Sequence, residues 1–166
     1  DHDGWERCYQ TYIPSTVNAW SKVPLILARH GWAMSAPDTR AHSEIMTLAD
    51  EVGAIVVHPE GILIDYTTLP FGGNEESWNA GYCCGDALDL EIDDVGYLLE
   101  VIEQTSSNYP VDTDRIYLSG WSSGCMVAQR MALVASEVIA ASACTSGYLS
   151  YHEPLNYQPI PILEIH

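Results

Sequence analysis

The 166-residue sequence predicts a single α/β domain, residues 1–166, built on a mostly parallel sheet. Three observations predict it. Short apolar runs, of the kind buried strands show, recur along the chain. Between them lie segments whose apolar residues return every three or four positions, the mark of a helix face. A hydrophobic fraction of 47% against a charged fraction of 17% supplies enough apolar material for one core.

The elements follow in order. Residues 8–13 are strand-like and stop at Pro14. Residues 23–28 form an apolar strand that leads into His30-Gly31. Ala41, Ile45, Leu48 and Val52 mark one helix over residues 40–52, with Asp38 as its N-cap. Residues 54–58 are the next buried strand, closed by Pro59 and Gly61. Residues 61–91 have no period and read as a long functional loop containing Gly72-Gly73 and the adjacent Cys83 and Cys84. Ile92, Val95, Leu99 and Ile102 give a second helix, capped by Asp93 or Asp94. A strand at 115–119, a mostly apolar helix at 123–135, a strand at 138–144 and a buried strand at 160–166 complete the alternation. In such sheets function gathers at the carboxyl ends of the strands.

Charge excludes several function classes. Twenty-three acidic residues against six basic ones give a net charge of −17, which opposes binding to nucleic acid or to an anionic membrane surface. No apolar run reaches the length of a membrane span. Nine carboxylates and no Lys or Arg between Glu75 and Glu103 read as a solvated acidic face; no spaced ligand pattern marks a metal site, and no cofactor is expected. Five cysteines and few lysines suit an oxidising, extracellular compartment. Five is odd, and the pairing of Cys8, Cys83, Cys84, Cys125 and Cys144 stays open, a bond from Cys125 to the 83–84 loop being one arrangement. A start at Asp1 without Met, and an end on a core strand, read as the ends of a processed chain or a fragment.

Directly after the strand at 115–119 comes Gly120-Trp121-Ser122-Ser123-Gly124, and a helix follows. This is G-x-S-x-G in its strand–turn–helix setting. The turn is tight enough that side chains at the two flanking positions would strike backbone, hence Gly120 and Gly124. Ser122 is then a nucleophile held above the sheet, and the Ser123 N–H, at a helix N-terminus, faces a forming oxyanion. A second N–H must converge there. The His30-Gly31-Trp32 turn supplies it at Trp32, with Gly31 permitting close approach and His30 shaping the loop. Trp121 and Trp32 flank the site as pocket walls or packing.

With these motifs on hand, the chain resembles the α/β-hydrolase group of secreted esterases that includes polyhydroxybutyrate depolymerases and feruloyl or acetyl-xylan esterases. The resemblance runs through residues 24–31, 54–61, Trp78-Asn79-Ala80-Gly81 with Cys83-Cys84-Gly85, Asp93-Asp94-Val95-Gly96, 114–124 and 161–166. It implies an α/β-hydrolase-type sheet with helices on both faces, represented here by about its N-terminal two-thirds, the final strands and helices missing. It implies Ser122 as nucleophile and Trp32 and Ser123 as oxyanion donors. It also implies a catalytic Asp and His beyond residue 166, from a C-terminal remainder or a second cleaved chain. Within the sequence, Glu137 falls at the far end of the nucleophile helix and Glu164 in a strand; His152-Glu153 is the one internal candidate for acid and base. His58 reads as structural. The expected function is a secreted serine esterase acting on carboxylic, including polymeric, esters without a cofactor. The alternative is a non-catalytic, esterase-like binding or structural protein.

Overall fold

The computed structural model describes residues 1–64, 75–149 and 157–166. Six strands form one sheet: β1 (Tyr9–Tyr12), β2 (Val23–Arg29), β3 (Ile55–Pro59), β4 (Val111–Trp121), β5 (Ala141–Thr145) and β6 (Ile162–Ile165). Their order is β1-β3-β2-β4-β5-β6. Only β1 runs antiparallel, against β3; every other neighbouring pair is parallel. The expected mostly parallel architecture is therefore the one formed, with helices on both faces.

Side-chain alternation sorts the strands between two cores. Leu25 and Leu27 of β2, Ile55 and Val57 of β3, and Ile116 and Leu118 of β4 face the helices α4 (Asp94–Asn108) and α5 (Ser123–Val134). Ile26, Ala28 and Val56 face the other side, toward α1 (Ala36–His42) and α2 (Ile45–Val52). Both β2 and β3 are buried on two faces, which is why they read as continuous apolar runs.

Four sequence expectations are corrected. The helix expected over 40–52 is two helices, because the Ser43 hydroxyl and N–H both turn back to the Thr39 carbonyl, at 2.6 and 3.0 Å, and end the first. Asp38 is not its N-cap. Ser35 is, and Asp38 is the third helical residue of a capping box, its carboxylate accepting from the Ser35 N–H at 2.9 Å. In α4 the buried face is Asp94, Tyr97, Leu98, Val101, Ile102 and Thr105. Val95 and Leu99 are only half-buried, and Ile92 packs outside the helix with Ile62, Ile64 and Ala87. Asp93 does cap α4, accepting from the Gly96 N–H at 2.9 Å. Last, β6 is an edge strand with Ile162, Leu163 and Ile165 each about half exposed, because no described element covers it. The 61–91 segment also holds a short helix, α3 (Gly85–Asp89).

Asp94 departs from the acidic face altogether. It is fully buried and pairs with Arg7 at 2.7 Å. The Arg7 guanidinium also lies 3.9 Å from the Tyr97 ring centroid. Burial raises the Asp94 pKa, opposed by Arg7 and by the Asn79 N–H, which donates to Asp94 at 2.6 Å. This buried charge pair thus ties the N-terminal segment and α4 to the loop that carries Trp78 and Asn79.

Candidate active site

β4 runs into Ser122, and α5 starts one residue later. Ser122 has φ 54° and ψ −122°, a left-handed conformation that a non-glycine residue rarely holds. It is fixed by its own N–H, donated to the Thr145 carbonyl of β5 at 3.0 Å. Gly120 and Gly124 are required sterically. A Cβ on Gly120 would lie 2.4 Å from the Gly124 carbonyl oxygen, and one on Gly124 would lie 2.3 Å from that of His30. Gly147, which sequence reasoning did not single out, is equally tight: a Cβ there would be 2.8 Å from the Ser122 carbonyl oxygen.

The His30-Gly31-Trp32 turn packs directly against this elbow. A Cβ on Gly31 would come 3.1 Å from the Trp121 ring and 3.3 Å from the Ser122 Cβ. Ala33 N–H is taken by the Glu76 carbonyl and Met34 N–H by that of Gly31. Among the described residues the N–H groups of Trp32 and Ser123 have no acceptor. Two unpaired donors on two segments in van der Waals contact are the ingredients of an oxyanion site.

His30 shapes the turn and is held as a neutral imidazole. It is fully buried. Its Nδ1–H donates to the Gly31 carbonyl at 2.8 Å, and Nε2 accepts from the Gly61 N–H at 2.8 Å. The Trp78 indole N–H donates to the His30 carbonyl at 3.0 Å, and the two rings are 5.0 Å apart. The buried Arg7–Asp94 pair, by fixing Trp78 and Asn79, thereby supports the turn from behind. With both nitrogens engaged, His30 has none free to serve as a base.

Burial pulls His30 down to a pKa of about 4. His58, also fully buried, is brought to about 4 by burial and the Arg40 cation. Unfolded histidine titrates near 6.5. Between these values the unfolded chain binds the protons that the folded chain refuses, so both histidines contribute stability that is complete above pH 6.5 and lost toward pH 4. Thermal midpoints should therefore fall from pH 7 through pH 6 to pH 5.5, above the ordinary carboxylate range. A flat profile over that window would refute the neutral assignment.

Of the other candidates for acid and base, Glu137 is remote from the elbow and Glu164 is engaged by other side chains. Glu137 is exposed beyond the C-terminal end of the 12-residue α5, about 18 Å along its axis from Ser122. Glu164 is engaged with Gln129 at 2.6 Å and with His166 at 2.5 Å. His152-Glu153 and Gly72-Gly73 lie outside the described residues. Trp121 and Trp32 are each half exposed, so neither is a core residue; Trp121, with Met34, Thr39, His42 and Ser43, lines a cleft of about 410 Å³ beside the elbow. Cys125 pairs with Cys144, at an S–S distance of 2.04 Å, and not with the 83–84 loop; Cys83 and Cys84 pair with each other, and Cys8 is free. The Cys125–Cys144 bond ties the first turn of α5 to β5. Arg29 is the residue the sequence reading passed over. A charge at the end of an otherwise apolar, doubly buried strand was the signal that could have found it.

A nucleophile-type elbow at the carboxyl edge of a mostly parallel sheet, with a glycine turn packed against it, defines an α/β-hydrolase-type protein. Comparison with known proteins narrows the class. Residues 7–154 match the family described as esterase PHB depolymerase, and the chain belongs to that family. It is 28% identical over 165 residues to a bifunctional acetylxylan esterase/xylanase of Neocallimastix patriciarum, covering 98% of this chain and 21% of that one. It is 32% identical over 131 residues to a feruloyl esterase B of Piromyces equi, covering 79% and 22%. Its fold matches an acetyl xylan esterase from Aspergillus awamori with a TM-score of 0.64 at 22% identity, over 89% of this chain and 50% of that one. The chain thus spans about a fifth of these two relatives and half of that structure. No helix among the described residues is long and apolar enough to cross a membrane.

Proposed function

We propose that the chain carries the nucleophile half of a secreted serine esterase. The observation that carries this reading is the strained Ser122 elbow in contact with a glycine turn, with the Trp32 and Ser123 N–H groups both unpaired. In the proposed reaction the Ser122 hydroxyl oxygen bonds to the ester carbonyl carbon, and its proton passes to a base. The carbonyl oxygen takes up the negative charge between the Trp32 and Ser123 N–H groups. The C–O bond to the alcohol then breaks, the alcohol leaves with the proton from the base, and the acyl group stays on Ser122. Water, deprotonated by the same base, then bonds to the acyl carbon, the bond from that carbon to the Ser122 oxygen breaks, and the base returns the proton to Ser122 as the acid leaves. The base is an imidazole and its orienting carboxylate a second group; His30, with both ring nitrogens engaged, is not that imidazole. The acetylxylan and feruloyl esterases among the relatives support carboxylic esters, including esters on polymers, as the substrate class. The Cys125–Cys144 pair supports an oxidising compartment.

The absence of an acid–base pair at the elbow among the described residues favours one second reading, an esterase-like protein that binds without turnover. Labelling with a fluorophosphonate, read by peptide mass spectrometry at Ser122, separates the two. A Ser122 adduct is expected, and it should form more slowly while an excess of a p-nitrophenyl ester is present. Folded, intact protein that neither labels nor hydrolyses the ester would leave the binding reading.

A further inference from the structure

β2 is apolar up to its last residue, Arg29. Arg29 is fully buried and sits in register with Gly120. Its Nε–H donates to the Gly124 carbonyl at 3.3 Å, and an Nη2–H donates to the Ser119 carbonyl at 3.0 Å. Nη1 lies 3.8 Å from the Met131 sulfur. The two carbonyls bracket the Gly120–Gly124 motif, one before it and one at its end. Arg7 is buried too, but it has Asp94; among the described residues no carboxylate lies within 4.0 Å of the Arg29 guanidinium. A buried cation satisfied by carbonyls alone leaves its charge uncompensated, an arrangement with a large desolvation cost.

The hydrogen bonds give that charge a direction. Arg29 donates to the carbonyl of the peptide unit joining Gly124 to Cys125. The N–H of that same unit, on Cys125, donates to the Ser122 carbonyl at 2.9 Å. The peptide unit joining Ser122 to Ser123 ends in the unpaired Ser123 N–H. Two peptide dipoles therefore stand head to tail between the guanidinium and the donor that faces the proposed oxyanion, and chains of this kind polarise cooperatively in a low-dielectric interior.

We propose that Arg29 is a positioning residue of the nucleophile elbow, which fixes the Ser123 N–H and polarises it through two peptide units so that the guanidinium charge is answered when the oxyanion forms. The inference rests on the esterase reading above. It places the effect of Arg29 in the transition state and not in substrate affinity. Arg29 touches no reacting atom; it acts through the Gly124–Cys125 and Ser122–Ser123 peptides.

The test compares intact wild-type protein with Arg29→Met, Arg29→Gln and Arg29→Lys. Its readouts are kcat and KM for p-nitrophenyl acetate, inhibition by phenylboronic acid, which binds as a tetrahedral anion, and the thermal midpoint. Arg29→Met is expected to lower kcat about 30-fold with KM within about twofold, and to weaken the boronate by a similar factor. Arg29→Gln carries the same expectation should the methionine variant fail to fold. Arg29→Lys, which keeps the charge, is expected to recover most of the lost kcat. Folded neutral variants with kcat within twofold of wild type overturn the proposal. So does an equal loss in the lysine and neutral variants that tracks the thermal midpoint, because a merely structural strut behaves that way. Absence of turnover and of Ser122 labelling in the wild type itself overturns the esterase reading, and the rate effect of Arg29 with it.

Discussion

Ser122→Ala is expected to reduce kcat/KM for p-nitrophenyl acetate by at least about 10⁴-fold and to abolish fluorophosphonate labelling, while the protein stays folded. The magnitude follows from what remains: an oxyanion site without its nucleophile retains only a small residue of catalysis over water. The Ser122 backbone adds a second, independent expectation. At φ 54° the residue occupies a region that costs an L-amino acid of order 1–3 kcal/mol. Glycine takes that conformation without steric penalty. Ser122→Gly is therefore expected to be as inactive as Ser122→Ala but more stable than it, by about 1 kcal/mol. Opposite responses of activity and stability at one position are the signature of strain held for function. Were Ser122→Ala to keep more than a hundredth of wild-type turnover, the nucleophile would have to be sought elsewhere.

Legibility in the sequence followed the range of the interactions involved. The strands were readable because β2 and β3 are buried on both faces, and such strands must be apolar along their length. The elbow was readable because its chemistry is local: the steric demand that selects Gly120 and Gly124 acts between residues four apart and across one strand. Cap placement failed at α1 because Asp38 and Ser35 bond reciprocally, and periodicity cannot say which of two capping residues stands outside the helix. The face of α4 slipped because a buried Asp94 was read as charge facing water, and only Arg7, 87 residues away, makes its burial tolerable. The roles of Gly147 and Trp78 were illegible for the same reason, and for Arg29 the sequence offered only a charge at the end of an apolar strand, not its partners. Each acts on Ser122 or His30 across separate strands or loops, and no spacing within one element announces it.

Gly124→Ala is expected to destabilise the protein by about 3 kcal/mol or more and to lower kcat at least about 100-fold. Helix propensity alone points the other way, since alanine is preferred over glycine inside a helix by roughly 1 kcal/mol. Sterics decides. The added methyl would stand 2.3 Å from the His30 carbonyl oxygen and 2.7 Å from that of Arg29, both buried backbone atoms at the end of β2 that no rotamer change can move aside. Either β2 or the first turn of α5 must yield. In each case the Arg29 bond to the Gly124 carbonyl lengthens, and the proposed oxyanion site between the Trp32 and Ser123 N–H groups is disrupted. Overpacking a rigid interior by one methyl costs about 1–3 kcal/mol where side chains can adjust, and more where they cannot. Gly53→Ala is the informative control. Gly53 closes α2 at its C-terminal end, with φ 68° and open space around its Cβ position, so alanine there meets only backbone strain of about 1 kcal/mol and no loss of turnover. Urea unfolding and ester hydrolysis measured on both variants separate a glycine kept for conformation from one kept for contact. Equal stability and unchanged kcat in Gly124→Ala would mean that the elbow and the His30 turn are not in the contact on which the proposed oxyanion site depends.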